Sequence, residues 1–273
     1  MDKNLTQNNI NEDVVISVII ATKNGGRFLS RSVASIEKQS EKNIEVIIVS
    51  DGSTDDTLSI VQNLAATRPF IKIVNLEKNI GPGLARNAGI EKSAGKYIAL
   101  LDDDDEWLDA DKLKNQKNFL DKNPDHVLVG ADETEFVNES GQQLFVYKPK
   151  TNDAEIRSKI LSSNQFVTSS VMFRKEAFQK AGGFADMRLA EDYDLWLRLL
   201  LTGKATNIRG SKTRYYKRQN GSQQANQAKM NRIVLGLIKR YKNQFPHSFL
   251  AIIKAYARIL RKTSSGTSFG LLG

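Results

Sequence analysis

A short apolar segment of this 273-residue chain ends in four successive aspartates, Tyr97-Ile98-Ala99-Leu100-Leu101-Asp102-Asp103-Asp104-Asp105. The apolar half predicts a buried strand, and the aspartates would then lie at the carboxyl edge of a sheet, where open α/β folds bind ligands. Adjacent carboxylates repel one another, and a hard divalent cation such as Mg²⁺ or Mn²⁺ relieves that repulsion when it joins them to phosphate oxygens. Acidic residues are also typical of a solvated loop that caps the next helix. The segment alone therefore leaves a metal-diphosphate site and a capping loop both open.

Strands and helices alternate on both sides of this segment. Strand patterns occur at 14–21, 44–50, 70–75 and 97–101, and helical patterns follow them at 27–39, 54–66, 84–93 and 109–120. Such alternation implies right-handed crossovers and a parallel, buried sheet. Residues 14–105 are therefore predicted to form a nucleotide-binding half. Three shorter strands, at 126–130, 134–138 and 144–147, are predicted to be hairpin-like.

The composition excludes some classes of protein. The chain is 40% hydrophobic, which suits one large α/β domain, or a core with a smaller appendage. It contains no cysteine, so disulfides, thiolate zinc sites and cysteine nucleophiles are excluded. The polar segment 1–13 lacks the apolar core of a signal peptide, and no later segment approaches the ~20 apolar residues of a membrane span. We therefore expect a cytoplasmic protein.

Charge is distributed unevenly along the chain. The last 70 residues carry 15 Lys and Arg and no Asp or Glu, whereas the first 203 carry 25 basic and 31 acidic residues. A basic end suggests an anionic partner, which is nucleic acid, anionic lipid headgroups or a phosphate-bearing substrate, and no nucleic-acid motif accompanies it. Amphipathic helices are predicted from Lys229 to Tyr241 and from Ser248 to Lys262. The pattern fits interfacial helices at a membrane and helices docked on the core about equally well, and a solvated basic face is a third interpretation.

The loops after the second and third strands carry polar groups suited to a nucleotide. Asp51 ends the second strand, where a carboxylate can accept hydrogen bonds from a nucleobase imide or a ribose hydroxyl. The segment Gly81-Pro82-Gly83-Leu84-Ala85-Arg86 opens a helix, whose positive end suits a phosphate or an oxygen-rich base. Its glycines do not fit the dinucleotide fingerprint, and no Walker loop occurs. Dinucleotide oxidoreductases and P-loop enzymes are thus disfavoured.

Five motifs, in this order, resemble the family 2 inverting glycosyltransferases. They are Val18-Ile19-Ile20-Ala21-Thr22-Lys23-Asn24, Val49-Ser50-Asp51-Gly52-Ser53-Thr54-Asp55, Gly81-Pro82-Gly83-Leu84-Ala85-Arg86-Asn87, Leu101-Asp102-Asp103-Asp104-Asp105 and Glu191-Asp192-Tyr193-Asp194-Leu195-Trp196. The resemblance implies a GT-A type α/β fold, with a Rossmann-like nucleotide-binding half, a mixed central sheet and a more variable acceptor half. It predicts a glycosyltransferase domain at 14–203, divided at residue 105, between a polar extension at 1–13 and a basic C-terminal strand and helical extension at 204–273.

The resemblance also implies roles for the residues that bind the donor. Asp51 would bind the nucleobase, with Thr22 beside it, and Arg86 would contact the base or its ribose. Asp102 and Asp104 match the family's D-x-D motif.

Within that motif, Asp104 would ligate Mn²⁺ or Mg²⁺ directly, and Asp102 would contact the ribose or a bound water. Asp103 is included among the donor-binding residues because four successive aspartates leave the register open by one.

The same resemblance implies that Asp192 is the catalytic base. The residues alone leave two interpretations open, because Glu191 and Asp192 precede a helix whose N-terminus favours acidic side chains. Trp196, one helical turn later, is predicted to fill the core rather than stack on a sugar.

The predicted activity is therefore metal-dependent transfer of a sugar, with inversion, from a nucleotide donor to an acceptor hydroxyl. Family resemblance implies a UDP-sugar donor, a saccharide or lipid-linked saccharide acceptor, and a setting in bacterial surface polysaccharide or lipopolysaccharide biosynthesis. A nucleotidyltransferase that makes nucleotide-sugars is one alternative, although its glycine- and lysine-rich phosphate loop is not evident at 22–26. A non-catalytic basic interaction module is another. An anionic membrane surface at the inner face of the cell membrane and a homo-oligomer through the C-terminal helices are further predicted partners, whereas nucleic acid is not.

Overall fold

The computed structural model describes residues 14–218 and 226–263. The predicted N-terminal extension at 1–13 lies outside the described residues. The strands are β1 Ile16–Thr22, β2 Ile44–Asp51, β3 Ile71–Leu76, β4 Tyr97–Leu100, β5 Glu106–Trp107, β6 His126–Ala131, β7 Thr134–Asn138, β8 Gln143–Tyr147, β9 Met172–Arg174, β10 Lys204–Ile208 and β11 Thr213–Lys217. The helices are α1 Gly26–Glu37, α2 Thr57–Ala66, α3 Pro82–Glu91, α4 Lys112–Lys122, α5 Asp153–Lys159, α6 Lys175–Lys180, α7 Glu191–Leu200, α8 Gln227–Tyr241 and α9 Ser248–Thr263, and Thr168–Ser170 forms a 3₁₀ turn.

A seven-stranded central sheet forms the core, in the order β10-β6-β9-β4-β1-β2-β3. Strand β9 runs antiparallel to its neighbours β4 and β6, and the other pairs of neighbouring strands are parallel. The predicted α/β fold with a mixed central sheet is therefore confirmed. Alternate residues of β1 enter two apolar clusters, Ile19 on one face of the sheet and Val18 and Ile20 on the other. Burial on both faces explains the continuous apolar strand sequences.

A four-stranded second sheet, in the order β5-β11-β7-β8, lies after the nucleotide-binding half in sequence. Strands β7 and β8 form an antiparallel hairpin, whose turn includes Gly141 with a φ of 85°. The hairpin-like expectation is wrong for β6, which pairs with β9 and β10 in the central sheet. Residues 127–131 are buried, as suits a strand inside a sheet rather than in an exposed hairpin.

The basic C-terminal part contributes to both sheets and to the core. Strand β10 pairs with β6, and β11 pairs with β5 and β7, although both strands begin beyond residue 203. Helix α8 buries Leu237 and Ile238 in the same apolar cluster as α7, and α9 adds Ala251 and Ala255. The interpretation of helices docked on the core therefore holds for one face of each helix. Within 14–218 and 226–263, no helix combines the length and apolar character needed to cross a bilayer. The predicted domain boundaries remain predictions.

Candidate active site

The carboxyl ends of β1, β2 and β4 form one edge of the central sheet, and the predicted donor-binding residues lie along it. Parallel pairing of β1 with β2 and β4 places these ends side by side. Thr22, at the end of β1, donates a hydrogen bond of 2.5 Å to Oδ2 of Asp103, in the loop after β4. A Cβ atom at Gly25 would overlap both of these side chains, so the loop after β1 must lie close to the aspartates.

Asp51 is buried at the end of β2 and organises the loop before α3. Its carboxylate accepts hydrogen bonds from the backbone N–H groups of Ile80, at 2.7 Å, and Gly81, at 3.0 Å, and from Nδ2 of Asn79, at 2.9 Å. Gly81 has a φ of 98°, a conformation that strongly favours glycine. The structure thus shows Asp51 as a loop-positioning carboxylate, and its contact with a nucleobase stays a prediction.

The four successive aspartates have different environments. The side chain of Asp102 is 26% exposed, whereas Asp105 is fully buried and accepts hydrogen bonds from the Ser169 hydroxyl and, at 3.0 Å, from the backbone N–H of Tyr216. These contacts make Asp105 part of the structural support of the loop. The candidate ligands are therefore Asp102, Asp103 and Asp104.

Burial and mutual repulsion destabilise the charged forms of these aspartates. Burial, with the neighbouring charge of Asp104, raises the pKa of Asp103 to about 7. Burial also raises the pKa of Asp104, against the attraction of Arg218, and holds the pKa of Asp105 well above its ordinary value. A cation bound here would lower these pKa values.

One arginine already supplies a positive charge to the cluster. Nη2 of Arg218 lies 2.7 Å from Oδ1 of Asp103, and Nε of the same guanidinium pairs with Oδ2 of Asp104. The guanidinium therefore neutralises these carboxylates as a metal cation would. The hard carboxylate oxygens beside it fit Mg²⁺ or Mn²⁺. No three His, Cys, Asp or Glu side chains of the described residues are grouped as a metal site.

Arg86 connects the aspartate loop with the start of α7. Its Nη2 lies 2.7 Å from Oδ1 of Asp102, and its Nη1 lies 3.1 Å from Oε1 of Glu191. The Arg86 side chain is only 8% exposed, and its pair with Glu191 is better shielded from solvent than its pair with Asp102, whose side chain is 26% exposed. The fold therefore brings together residues from motifs that are 105 positions apart.

Asp192 lies in the first turn of α7, next to Glu191. Its Oδ2 accepts a hydrogen bond of 3.1 Å from Thr168, and its Oδ1 accepts one of 2.7 Å from the backbone N–H of Tyr193. Burial raises the pKa of Asp192, against the opposing effect of these hydrogen bonds and of the Arg86 charge. A partly buried carboxylate with a raised pKa is suited to general-base chemistry. Trp196 is fully buried, as the sequence predicted.

The sequence did not identify three residues that organise the site. Arg218 pairs with the aspartates, Arg31 donates to the backbone carbonyl of Asp104, and Ser169 contacts both ends of the cluster through Asp102 and Asp105. The excess of basic residues after 203 was a signal for Arg218, but it did not single out one arginine.

The chain belongs to glycosyl transferase family 2, whose model matches residues 17–182. An uncharacterized glycosyltransferase of Haemophilus influenzae is 34% identical over 187 residues, which cover 68% of this chain and 72% of that protein. The amylovoran biosynthesis glycosyltransferase AmsE of Erwinia amylovora is 33% identical over 175 residues, which cover 64% of this chain and 65% of that protein. The predicted family is confirmed, and the protein is a glycosyltransferase.

Two solved structures share the fold at low sequence identity. S. aureus TarS 1-349 in complex with UDP-GlcNAc has a TM-score of 0.69 and 20% identity, with 92% of this chain and 74% of that chain covered. The mannosyltransferase PcManGT from Pyrobaculum calidifontis, in complex with GDP-Man and Mn²⁺, has a TM-score of 0.67 and 18% identity, with 93% and 76% covered. These similarities confirm the GT-A type architecture.

Proposed function

We propose that this glycosyltransferase moves a sugar from a UDP-sugar to an acceptor hydroxyl, with inversion at the anomeric carbon and with the help of a divalent cation. The observation that carries the proposal is the pair of ion pairs made by Arg86. Through Asp102 and Glu191, this one side chain links the proposed cation site to the turn that holds the proposed base. The groups proposed to assist departure of the diphosphate and those proposed to activate the acceptor hydroxyl thus lie next to each other.

On the donor side, Asp104 would ligate Mn²⁺ or Mg²⁺, with Asp102 on the ribose or on a bound water. The bound cation would supply positive charge to the departing diphosphate. Thr22 and Asp51 lie at the ends of the adjacent strands β1 and β2 and would face the nucleoside. Arg86 would contact the base or ribose.

On the acceptor side, Asp192 would remove the proton from the attacking hydroxyl. The acceptor oxygen then forms a bond to the anomeric carbon while the bond to the diphosphate oxygen breaks, and the diphosphate takes the electron pair. Attack from the opposite face gives the inverted product. The proton remains on the Asp192 carboxylate until solvent removes it.

The relatives and the structures with the same fold support a nucleotide-sugar donor, a divalent cation and the setting. TarS was solved with UDP-GlcNAc, PcManGT with GDP-Man and Mn²⁺, and AmsE is named for amylovoran biosynthesis. For this chain we propose a UDP-sugar, a saccharide or lipid-linked saccharide acceptor, and a role in bacterial surface polysaccharide assembly at the cytoplasmic side of the membrane.

The decisive experiment compares nucleotides and metal in two steps. First, thermal unfolding is followed with UDP, GDP and a panel of nucleotide-sugars, each with Mn²⁺ and with EDTA. We expect UDP and one UDP-sugar to raise the unfolding midpoint only when Mn²⁺ or Mg²⁺ is present. Release of UDP from that sugar is then assayed with wild type and Asp192→Asn. Stabilisation by GDP but not by UDP would mean that the donor is a GDP-sugar. Binding and turnover without metal would remove the cation from the mechanism.

A further inference from the structure

Within the part of the chain that the structure describes, helix α9 packs one apolar face against the core and exposes a second. Ala251 and Ala255 are buried against the core, and the small size of these residues lets the helix lie close to its neighbours. Arg258 of this helix also donates a hydrogen bond of 2.8 Å to the backbone carbonyl of Ser162. The orientation of α9 on the body is therefore fixed by packing and by this hydrogen bond.

The outer face of α9 exposes large apolar side chains. Phe249 is 73% exposed and Leu260 is 65% exposed. The described residues contain eight exposed large hydrophobic side chains, and five of them lie on this helix: Phe249, Leu250, Ile253, Tyr256 and Leu260. Residues 249, 253, 256 and 260 follow the three- and four-residue spacing of one helical stripe. Such a stripe on a surface helix marks an interaction site.

Lysine side chains lie next to this outer face. Lys254 lies on α9 beside the stripe, and Lys239 of α8 donates a hydrogen bond of 2.8 Å to the Tyr256 hydroxyl. Lys242, in the connection between the two helices, is exposed. The sequence from 204 onward contains no Asp or Glu that would offset these charges.

We propose that the outer face of α9 is a membrane-binding surface that inserts its apolar stripe among the headgroups of an anionic bilayer. An amphipathic helix with basic flanks binds such an interface in the plane of the membrane, through apolar burial and attraction to anionic lipid. A second copy of the chain fits this face poorly, because a symmetric contact would bring two sets of lysines together without acidic partners. The inference concerns attachment and is independent of donor identity.

The test uses the full chain and vesicles of defined composition. Wild type is sedimented with vesicles of phosphatidylglycerol and phosphatidylcholine, and with vesicles of phosphatidylcholine alone, at low and high salt. We expect binding to the anionic vesicles that salt weakens, because headgroup attraction is screened over a Debye length of about 8 Å at physiological ionic strength. Absence of binding to anionic vesicles at low salt would overturn the proposal.

Two sets of substitutions separate the apolar and the electrostatic contributions. The triple variant Phe249→Ser, Ile253→Ser, Leu260→Ser and the double variant Lys242→Glu, Lys254→Glu should each weaken partitioning by about tenfold or more. The matched control, Leu144→Ser with Leu201→Ser, removes exposed leucines elsewhere and should bind as wild type does. Unfolding midpoints and UDP affinity should be unchanged in all of them, since these side chains are exposed and outside the donor site.

A spectroscopic measurement distinguishes insertion from adsorption. Both native tryptophans, Trp107 and Trp196, are buried, so the indole introduced by Tyr256→Trp can be followed against them. Brominated lipid should quench its emission on binding to anionic vesicles. Vesicle binding without quenching would contradict insertion of this face. Vesicle binding by the triple variant as strong as that of wild type would contradict it as well. A dimer in sedimentation velocity that the triple variant abolishes, without vesicle binding by wild type, would assign the face to a second copy instead.

Discussion

Nη2 of Arg218 lies 2.7 Å from Oδ1 of Asp103, inside the aspartate cluster that we propose binds a divalent cation. The guanidinium also pairs with Asp104 and lies 4.4 Å from the centroid of the Phe28 ring, which supports its position. Arg218 therefore neutralises part of the carboxylate repulsion in the donor-free protein. A divalent cation at the same oxygens has to compete with this guanidinium and is repelled by its charge.

The first prediction concerns this competition. Arg218→Ala should increase the affinity of the nucleotide-free protein for Mn²⁺, because it removes both the competing partner and the repulsion. Isothermal calorimetry should be done well above pH 7, since burial raises the pKa of Asp103 to about 7 in the wild type, loss of the Arg218 charge raises this pKa further, and protons compete with the metal. Arg214→Ala is the matched control, because Arg214 pairs with Glu106 and Glu135. Equal or weaker Mn²⁺ affinity in Arg218→Ala would show that the two cations do not compete.

The second prediction concerns the register of the metal ligands. Asp104→Ala should weaken UDP binding in Mn²⁺ more than Asp103→Ala does, because both carboxylates pair with Arg218 but Asp103 is also held by the Thr22 hydroxyl. Calorimetry of UDP binding, with Mn²⁺ and with EDTA, measures both variants against wild type. We expect the wild-type affinity to fall in EDTA and the Asp104→Ala affinity to be nearly the same in both conditions. A larger loss in Asp103→Ala would shift the register by one, and equal wild-type affinity in EDTA would contradict a metal role.

Much of the fold was predictable because local patterns determine it. Continuous apolar runs such as Ile16–Thr22 are buried on both sides, and their alternation with amphipathic helices identifies a parallel sheet. The neighbours of β6 were not predictable in this way. Its partner β10 begins at Lys204, almost 80 residues later, and no local signal specifies which distant strand completes a sheet.

The site shows the same limit. Asp51, Arg86 and Asp192 occur in short motifs, so resemblance to a family is enough to nominate them. The contact between Arg86 and Glu191 joins residues 105 positions apart, and Arg218 lies 115 positions from Asp103. Such pairings depend on how the strands and the second sheet assemble, and a single sequence carries no direct signal for them.

The third prediction concerns a lysine that is buried beside the site. Lys112 is fully buried, donates a hydrogen bond of 2.8 Å to Gln116 and lies over the Trp107 ring, and its burial lowers the pKa of Lys112 to about 7. Above pH 7 the folded protein releases this proton, while the unfolded chain keeps it up to a pKa of about 10.4. Unfolded protein then binds more protons, so stability should rise with pH by up to about 1.4 kcal/mol per unit across that window.

Urea unfolding of wild type and Lys112→Met at several pH values between these limits measures this effect. The free energy of unfolding of the variant should lack this increase with pH. The variant should therefore be more stable than wild type by the largest margin near and below pH 7. Lys114→Met changes an exposed lysine on the same helix and should retain the wild-type slope. Identical pH slopes for wild type and Lys112→Met would mean that Lys112 remains protonated in the folded state.

The fourth prediction concerns the proposed base. Asp192→Asn keeps the shape of the side chain but removes its basicity, so kcat for transfer should fall by about 10² to 10⁴ while UDP affinity stays nearly unchanged. Glu191→Gln should lower kcat by a smaller factor, because Glu191 is held in its ion pair with Arg86. Asp194→Asn should act mainly on stability, since Asp194 is buried and pairs with Arg198 at 2.7 Å.

The pH profile gives an independent test of the same residue. Burial raises the pKa of Asp192, and a general base works only when it is ionised. The rate should therefore increase as pH rises through this raised pKa, with an acidic limb at higher pH than an ordinary aspartate would give. Single-turnover transfer, measured across pH with saturating donor, should show this limb in wild type and in Glu191→Gln but not in the residual activity of Asp192→Asn. Near wild-type kcat in Asp192→Asn, with the limb retained, would place the base elsewhere and leave the start of α7 with a structural role.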